Sequence, residues 1–301
     1  MANNRVFYAS QGVAIQPSGG TQTTVQGAQS AGVTTNFNLE QAFQLGQLAI
    51  YDNIVTDPEV EVTVSKVLDG RPTIWNLATG GGSLINNAND SVSVVIGVGD
   101  DTEDSLTSTT AVKCTGMFIS SVNYTFPVDG NFTEEVTFVG NNKKAEGSVS
   151  APTSSGAVVL RRQNLATSTL PTEVAGQNIT NITISADLGR ESMYKLGQYA
   201  PFHRFVNFPL EVTTEIEVSA TGIDTTAVDL STVTCTTAGL PEEQDIVINL
   251  CEGSGGTTYY TFNLGAKNRL QSVNYSGGDT GGGNATITYT YVTYNELSIS
   301  G

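Results

Sequence analysis

The chain has 301 residues, a formal net charge of −16, 39% hydrophobic residues and only 14% charged ones. That length can hold two ordinary domains, each with its own core, and the acidity excludes a protein that grips nucleic acid through its phosphates. No apolar run approaches the roughly 20 residues of a membrane-crossing helix, and Met1–Arg5 opens no apolar stretch of the kind a signal peptide needs.

In chain order, Asn38 or a residue near it can cap a helix over Leu39–Leu45 that Gly46 ends. Glu59–Ser65 then alternates at period two, with Val60, Val62 and Val64 on one face and Glu59, Glu61, Thr63 and Ser65 on the other. Strands are predicted over Val92–Val98, Met117–Tyr124 and Thr133–Val139, with Phe126–Asn131 as the turn between the last two. Ser148–Gly156 is small, polar and interrupted by Pro152, as linkers are. Beyond it the pattern returns. A strand at Ile182–Ser185 leads to Asp187, which can cap a helix over Leu188–Leu196 ended by Gly197. Glu211–Val218 alternates again, with Val212, Ile216 and Val218 opposite Glu211, Glu215 and Glu217. Strands at Asp245–Asn249, Thr257–Phe262 and Ala285–Tyr291 follow, and Gly277–Gly283 is a glycine-rich connection before the last.

The recurrence keeps one register. Adding 151 turns Leu45-Gly46-Gln47 into Leu196-Gly197-Gln198, Ala49 into Ala200 and Pro58 into Pro209. Far downstream, Ser121-Val122-Asn123-Tyr124 becomes Ser272-Val273-Asn274-Tyr275. Two copies of one domain are therefore expected, residues 1–150 and 151–301. The first carries 15 acids against 6 bases, hence −9, and the second 14 against 7, hence −7. The fold class is mainly β: two tandem β-sandwich or barrel-type domains, each with one short flanking helix.

Sites for chemistry are sparse. His203 is the only histidine, and Pro201-Phe202-His203-Arg204-Phe205 surrounds it with aromatics, which suits packing better than proton transfer. Gly99–Ser105 has the acid density of a calcium loop without its alternating ligands. Glu134 and Glu135 are adjacent on a strand, so they point to opposite faces and cannot work as a pair. Gly80–Gly82 and Gly277–Gly283 lack the lysine and helix of a phosphate cradle. Trp75 is single and forms no sugar platform. Cys114, Cys235 and Cys251 have no metal spacing and are expected as free thiols, with a Cys235–Cys251 bridge as the alternative. The sequons at Asn131, Asn178, Asn181 and Asn284 carry no weight without secretion. No catalytic residue, metal or cofactor is expected.

Three segments resemble bacteriophage tail tube proteins: Tyr124–Gly140 (Tyr124-Thr125-Phe126-Pro127-Val128-Asp129-Gly130-Asn131-Phe132 and onward), Leu188–Gly197 continuing at Val206–Val212, and Gln271–Thr286. The likeness runs from about Phe37 onward and lies in sequence texture rather than in catalytic residues. It implies β-sandwiches whose inner sheets join into a barrel around a channel, in rings that stack into a tube. Rings of that family are usually six-fold, so a doubled chain implies three chains per ring, or six with one copy displaced. It further implies an acidic lumen, here Glu59, Glu61, Glu211, Glu215 and Glu217. Asp129, Gly130, Asn131, Gly278, Asp279 and Gly281 are expected in loops that stack rings. The implied partners are copies of the chain, a tape-measure protein, tail terminator and baseplate or tip proteins, and a sheath if the tail contracts. DNA would pass without tight binding. The implied setting is the virion tail, assembled in the host cytoplasm. Two other readings are weighed against this one. A tandem-sandwich adhesin would need an aromatic or metal-bearing loop in each copy, and a β-sandwich hydrolase would need a paired acid or nucleophile.

Overall fold

The computed structural model describes residues 11–99, 108–153, 156–166, 169–222, 240–252, 256–277 and 284–301. The first half holds strands β1 (Gln11–Pro17), β2 (Thr23–Thr24), β3 (Ala28–Asn36), β4 (Leu39–Phe43), β5 (Ile50–Val55) and β6 (Glu59–Val67). Helix α1 (Ile74–Thr79), β7 (Gly82–Ser83) and helix α2 (Leu84–Asn87) come next, then β8 (Ser91–Gly99), β9 (Ser108–Pro127), β10 (Thr133–Gly140) and β11 (Asn142–Ala145). The second half holds β12 (Asn178–Asp187), β13 (Arg190–Met193), β14 (His203–Val206), β15 (Glu211–Ser219) and β16 (Glu243–Gln244). It ends with β17 (Val247–Cys251), β18 (Thr258–Asn263), β19 (Asn268–Ser276), β20 (Thr286–Tyr294) and β21 (Ser298–Ser300).

The chain is mainly β, and every strand ladder is antiparallel. One sheet runs through both halves in the order β16-β19-β20-β15-β12-β9-β10-β6-β3. Apart from the short β16, this order is one four-strand arrangement written twice. β19-β20-β15-β12 is followed by β9-β10-β6-β3, strand for strand equivalent, and β12 pairs with β9 at the seam. The details repeat as well. The bulge that shifts β10 against β9 falls between the partners Ser121 and Ile119, and that of β20 against β19 between Ser272 and Leu270. Both pairs are related by 151. One residue enters the offset before Glu211, so that Val60 and Val212 take corresponding places opposite Thr35 and Ala186.

Alternation places the apolar side chains under this sheet. Val60, Val62 and Val64, like Val212, Ile216 and Val218, are buried, while their neighbours face outward. Against this inner face lies a second layer: β2-β1-β8 with the first part of β9 and β11 in the first half, and β17-β18-β21 of the second half, edged by β7 of the first. Two stacked layers bury the period-two faces of both. The halves also share packing. Phe262 meets Tyr124 at 4.8 Å and Phe126 at 5.3 Å between ring centres. One cluster of buried side chains includes Val62 and Trp75 from the first half and Ile216, Tyr260 and Phe262 from the second.

The predicted strands at 59–65, 92–98, 117–124, 133–139, 182–185 and 211–218 all lie within strands. The predicted helices are not there. Leu39–Leu45 and Leu188–Leu196 are instead hairpins, β4 with β5 and β13 with β14. An isolated short helix is unstable unless it buries an apolar stripe, and Leu39, Phe43, Leu45 and Leu196 are all exposed. Gly46 and Gly197 do adopt the left-handed conformation expected of them, at φ 85° and 86°. They turn a hairpin rather than end a helix: Gln47 N–H donates to Gln44 O and Gln198 N–H to Lys195 O, both at 3.3 Å. The two α-helices among the described residues lie elsewhere, both in the first half. Thr73 caps α1, its hydroxyl accepting from Asn76 N–H, and Gly80 closes it at φ 76°. The counterpart of this region in the second half falls among residues 223–239, outside the described residues.

Candidate assembly surface

The outward face of the main sheet is built from cross-strand rows that run from one copy into the other. One row is Ser65, Glu135, Asn123, Ser185 and Thr213. The next is Thr133, Thr125, Thr183, Glu215, Thr290 and Ser272. A third joins Asn181, Glu217, Thr288 and Asn274. Threonine and serine satisfy strand geometry while keeping a face wet, and these rows contain glutamates and no lysine or arginine. Glu134 and Glu135 separate to opposite faces as alternation requires: Glu135 is exposed here and Glu134 is buried.

The five acids singled out from the sequence are not equivalent. Glu215 and Glu217 stand within the open rows. Glu211 is exposed at the end of β15, where the Tyr294 hydroxyl donates to it at 3.4 Å. Glu61 is exposed between Thr34 and Val139. Glu59 belongs to a different environment, because the β13–β14 hairpin of the second half folds over this end of the first half's strands. Arg190 holds its guanidinium 5.4 Å from the centre of the Phe118 ring, and His203 meets the same ring at 5.0 Å. His203 also stacks edge-on with Phe205 at 4.2 Å, so the lone histidine is a packing residue between aromatics. Arg190 donates to Ile119 O at 2.7 Å and to Ala88 O, and burial together with the nearby Arg204 lowers its pKa to about 10.

Where the two hairpins meet, a cavity of about 380 Å³ is lined by residues that include Asn38, Asp57, Glu59, Tyr194, Tyr199 and Arg204. The Tyr199 hydroxyl donates to Thr56 O at 2.7 Å and contacts Val55 O. The Tyr194 hydroxyl donates to Asp57 Oδ2 at 3.0 Å, and partial burial and this carboxylate raise its pKa. Arg204 donates to Asn141 Oδ1 at 3.2 Å and lies 3.8 Å from Glu59. Asn141 in turn donates to Pro58 O at 2.7 Å. This is an interlock between the two halves of the chain, in which Asp57 Oδ2 accepts from Tyr194 while Asp57 Oδ1 is buried without a hydrogen-bond partner.

Of the expected ring-stacking loops, Asp129-Gly130-Asn131 is held within the chain. Arg161 Nε donates to Asn131 Oδ1 at 2.9 Å, Val128 N–H to Thr180 O at 2.8 Å, and Arg162 sits 3.9 Å from Asp129. Gly278, Asp279 and Gly281 lie outside the described residues, as do residues 100–107 of the acidic loop and Cys235. Cys114 and Cys251 are buried free thiols. Among the described residues, no group of three or more His, Cys, Asp or Glu side chains is gathered in metal-binding geometry, and no helix is long and apolar enough to cross a membrane.

Two features of this surface left little trace in the alternation pattern. The β4–β5 hairpin carries its apolar residues outward, and β14 buries Arg204 and Val206 while leaving Phe205 exposed, so no apolar period marks either hairpin. The edges of the sheet are visible only once the strand order is known. Neither a family model nor a curated protein matches the chain.

Proposed function

We propose that the chain is a structural subunit of a phage-type tail tube, closing into a ring with copies of itself so that the acidic, threonine-rich face lines a channel. The observation that carries this reading is a difference between two identical tetrapeptides. In Ser121-Val122-Asn123-Tyr124, Tyr124 is 0% exposed: β12 pairs alongside its strand, its ring packs on Phe262 and its hydroxyl donates to Glu134. In Ser272-Val273-Asn274-Tyr275, Tyr275 is 47% exposed, on a strand paired on one side by β20 and on the other only briefly by β16. The strand that would cover it is the equivalent of β12, which is β3, and β3 ends the sheet at its far side. Each chain thus carries both halves of one joint at opposite edges, a head-to-tail arrangement that closes a ring when the rotation permits.

The seam inside the chain supplies the register. Thr183, Ser185 and Asp187 pair with Thr125, Asn123 and Ser121. Carried over by 151, Gly32, Thr34 and Asn36 of one chain pair with Ser276, Asn274 and Ser272 of the next. All six lie on the polar face, so the rows continue unbroken around the ring. Three chains bring six such units, which fits pseudo-six-fold symmetry; six chains per ring is the second arrangement. A wall of one charge sign repels DNA and lets it slide past rather than adhere, and it offers a tape-measure protein a polar lining. Electron microscopy of the concentrated protein tests the reading. Rings or tubes with three-fold symmetry at chain level are expected. Protein that stays monomeric at high concentration rejects it, and true six-fold symmetry at chain level rejects the three-chain ring.

A further inference from the structure

All of the β4–β5 hairpin except Ala42 is exposed, including Leu39, Phe43, Leu45, Leu48, Ile50 and Ile54. Its equivalent, β13–β14, has a seat on the first copy and buries alternate residues of β14. The two hairpins have the same strand register, Leu39 opposite Val55 and Arg190 opposite Val206, and the same turn. Only the second is docked within the chain.

The docked contact identifies its counterpart. Tyr194 and Tyr199 reach Asp57 and the Val55–Thr56 backbone. Subtracting 151 from the hairpin residues gives Phe43 and Leu48, and adding 151 to the seat gives Phe208 and Val206–Asn207. The tyrosine–aspartate hydrogen bond therefore becomes a phenylalanine–phenylalanine pair, and both members change character together. Phe43 and Phe208 are each exposed in the single chain. Apolar side chains gathered at matched positions on both members of a joint are what a buried contact between copies requires.

We infer that the β4–β5 hairpin of one chain docks on the second copy of the neighbouring chain in the same ring, with Phe43 against Phe208 and Leu48 over the Val206–Asn207 backbone. The inference rests on the ring reading above and adds to the edge joint a second clasp, chemically unlike the clasp inside the chain. It also gives the exposed apolar residues of this hairpin a surface that buries them.

Cysteine cross-linking tests it. Phe43→Cys chains mixed with Phe208→Cys chains, assembled and treated with a short bis-maleimide, should give a covalent dimer on denaturing gels. Neither variant alone nor wild type, which controls for the native thiols, should give it. A second arm exchanges the pair. Phe208→Asp should raise the protein concentration needed for assembly by about tenfold or more, and Phe43→Tyr added to Phe208→Asp should restore it by recreating the Tyr194–Asp57 pair. A merely structural role for Phe208 would not be rescued from another chain. Wild-type rings that give no cross-link and no rescue overturn the docking while leaving the ring standing. A cross-link confined to stacked tubes and missing from isolated rings also overturns it. If wild type forms no rings at all, the inference falls with the reading it rests on.

Discussion

The Tyr124 hydroxyl donates to Glu134 Oε1 at 2.8 Å, in the fully buried layer between the sheets. The same carboxylate accepts from the backbone of Ile74 at 2.7 Å and of Trp75 at 3.1 Å, so it holds the first turn of α1. Lys66, opposite Glu134 in the ladder, is also fully buried; it lies 3.3 Å from Asp69 and donates to Pro72 O at 3.0 Å. These groups fasten the helix-bearing connection to the main sheet.

Glu134→Gln should lower stability by about 1–3 kcal/mol, because the amide keeps one acceptor and turns a donor toward a backbone N–H. Burial, the largest influence, holds the Glu134 carboxyl above its usual range, outweighing Lys66 and the three hydrogen bonds that favour the charge. The folded protein therefore binds this proton more tightly than the unfolded chain does. That contribution is complete below the unfolded value and is lost as pH rises through the folded one. Urea unfolding of both proteins from about pH 4 to pH 8 measures it: the stability gap should narrow as pH rises. A gap independent of pH would contradict the buried-carboxyl assignment.

The two copies of Ser-Val-Asn-Tyr should respond in opposite ways to one substitution. Tyr124→Ala empties a core position and should cost about 3–5 kcal/mol. Tyr275→Ala touches an open edge and should change the stability of the single chain by about 0.5 kcal/mol or less. Assembly should reverse the order of interest: the folded Tyr275→Ala protein should fail to form rings in sedimentation velocity runs where wild type forms them. Equal melting losses for the two variants would show that the β19 edge is already covered.

Lysine at Glu211, Glu215 and Glu217 should leave the circular dichroism of the strands unchanged, since all three side chains face away from the core. Such tubes should retard DNA, most strongly at low salt, and the effect should fade as the Debye length shrinks to about 8 Å near physiological ionic strength. Phage carrying the variant should eject DNA more slowly. Normal ejection, or carboxylates found on the outer wall, would refute a lumen position for this face.

Gly46→Ala and Gly197→Ala place a side chain at φ 85° and 86° with open space around it, so only the backbone conformation resists. Each should cost about 1 kcal/mol, confined to its hairpin. Hydrogen exchange should quicken in β4–β5 or β13–β14, with the denaturation midpoint of the whole protein unmoved. A large fall in the midpoint would mean that the hairpins unfold with the core.

Period-two alternation determined a good deal by itself. A valine every second residue can be buried only if a strand lays one face against a second layer, so Val60, Val62 and Val64 had their direction before any partner was known. The constant offset of 151 made the copies visible, and Glu134 and Glu135 had to part because neighbours on a strand do. Alternation also assigned Glu59, Glu61, Glu211, Glu215 and Glu217 to the outward face. Whether each stays open there is decided by what folds across it. Glu59 ends beside Arg204 because a hairpin from 130 or more residues away lies over that end. The helix at Ile74–Thr79 was not predicted, although Thr73 and Gly80 flank it as its caps, and its place depends on a carboxylate from β10. The hairpins at Leu39–Val55 and Arg190–Val206 misled because glycine with positive φ serves a helix end and a turn equally, and only long-range pairing separates the two. Pairing order is likewise absent from local pattern. That β12 meets β9 while β3 and β19 stand at the edges follows from tertiary contacts, and these give identical tetrapeptides a buried tyrosine in one copy and an exposed one in the other.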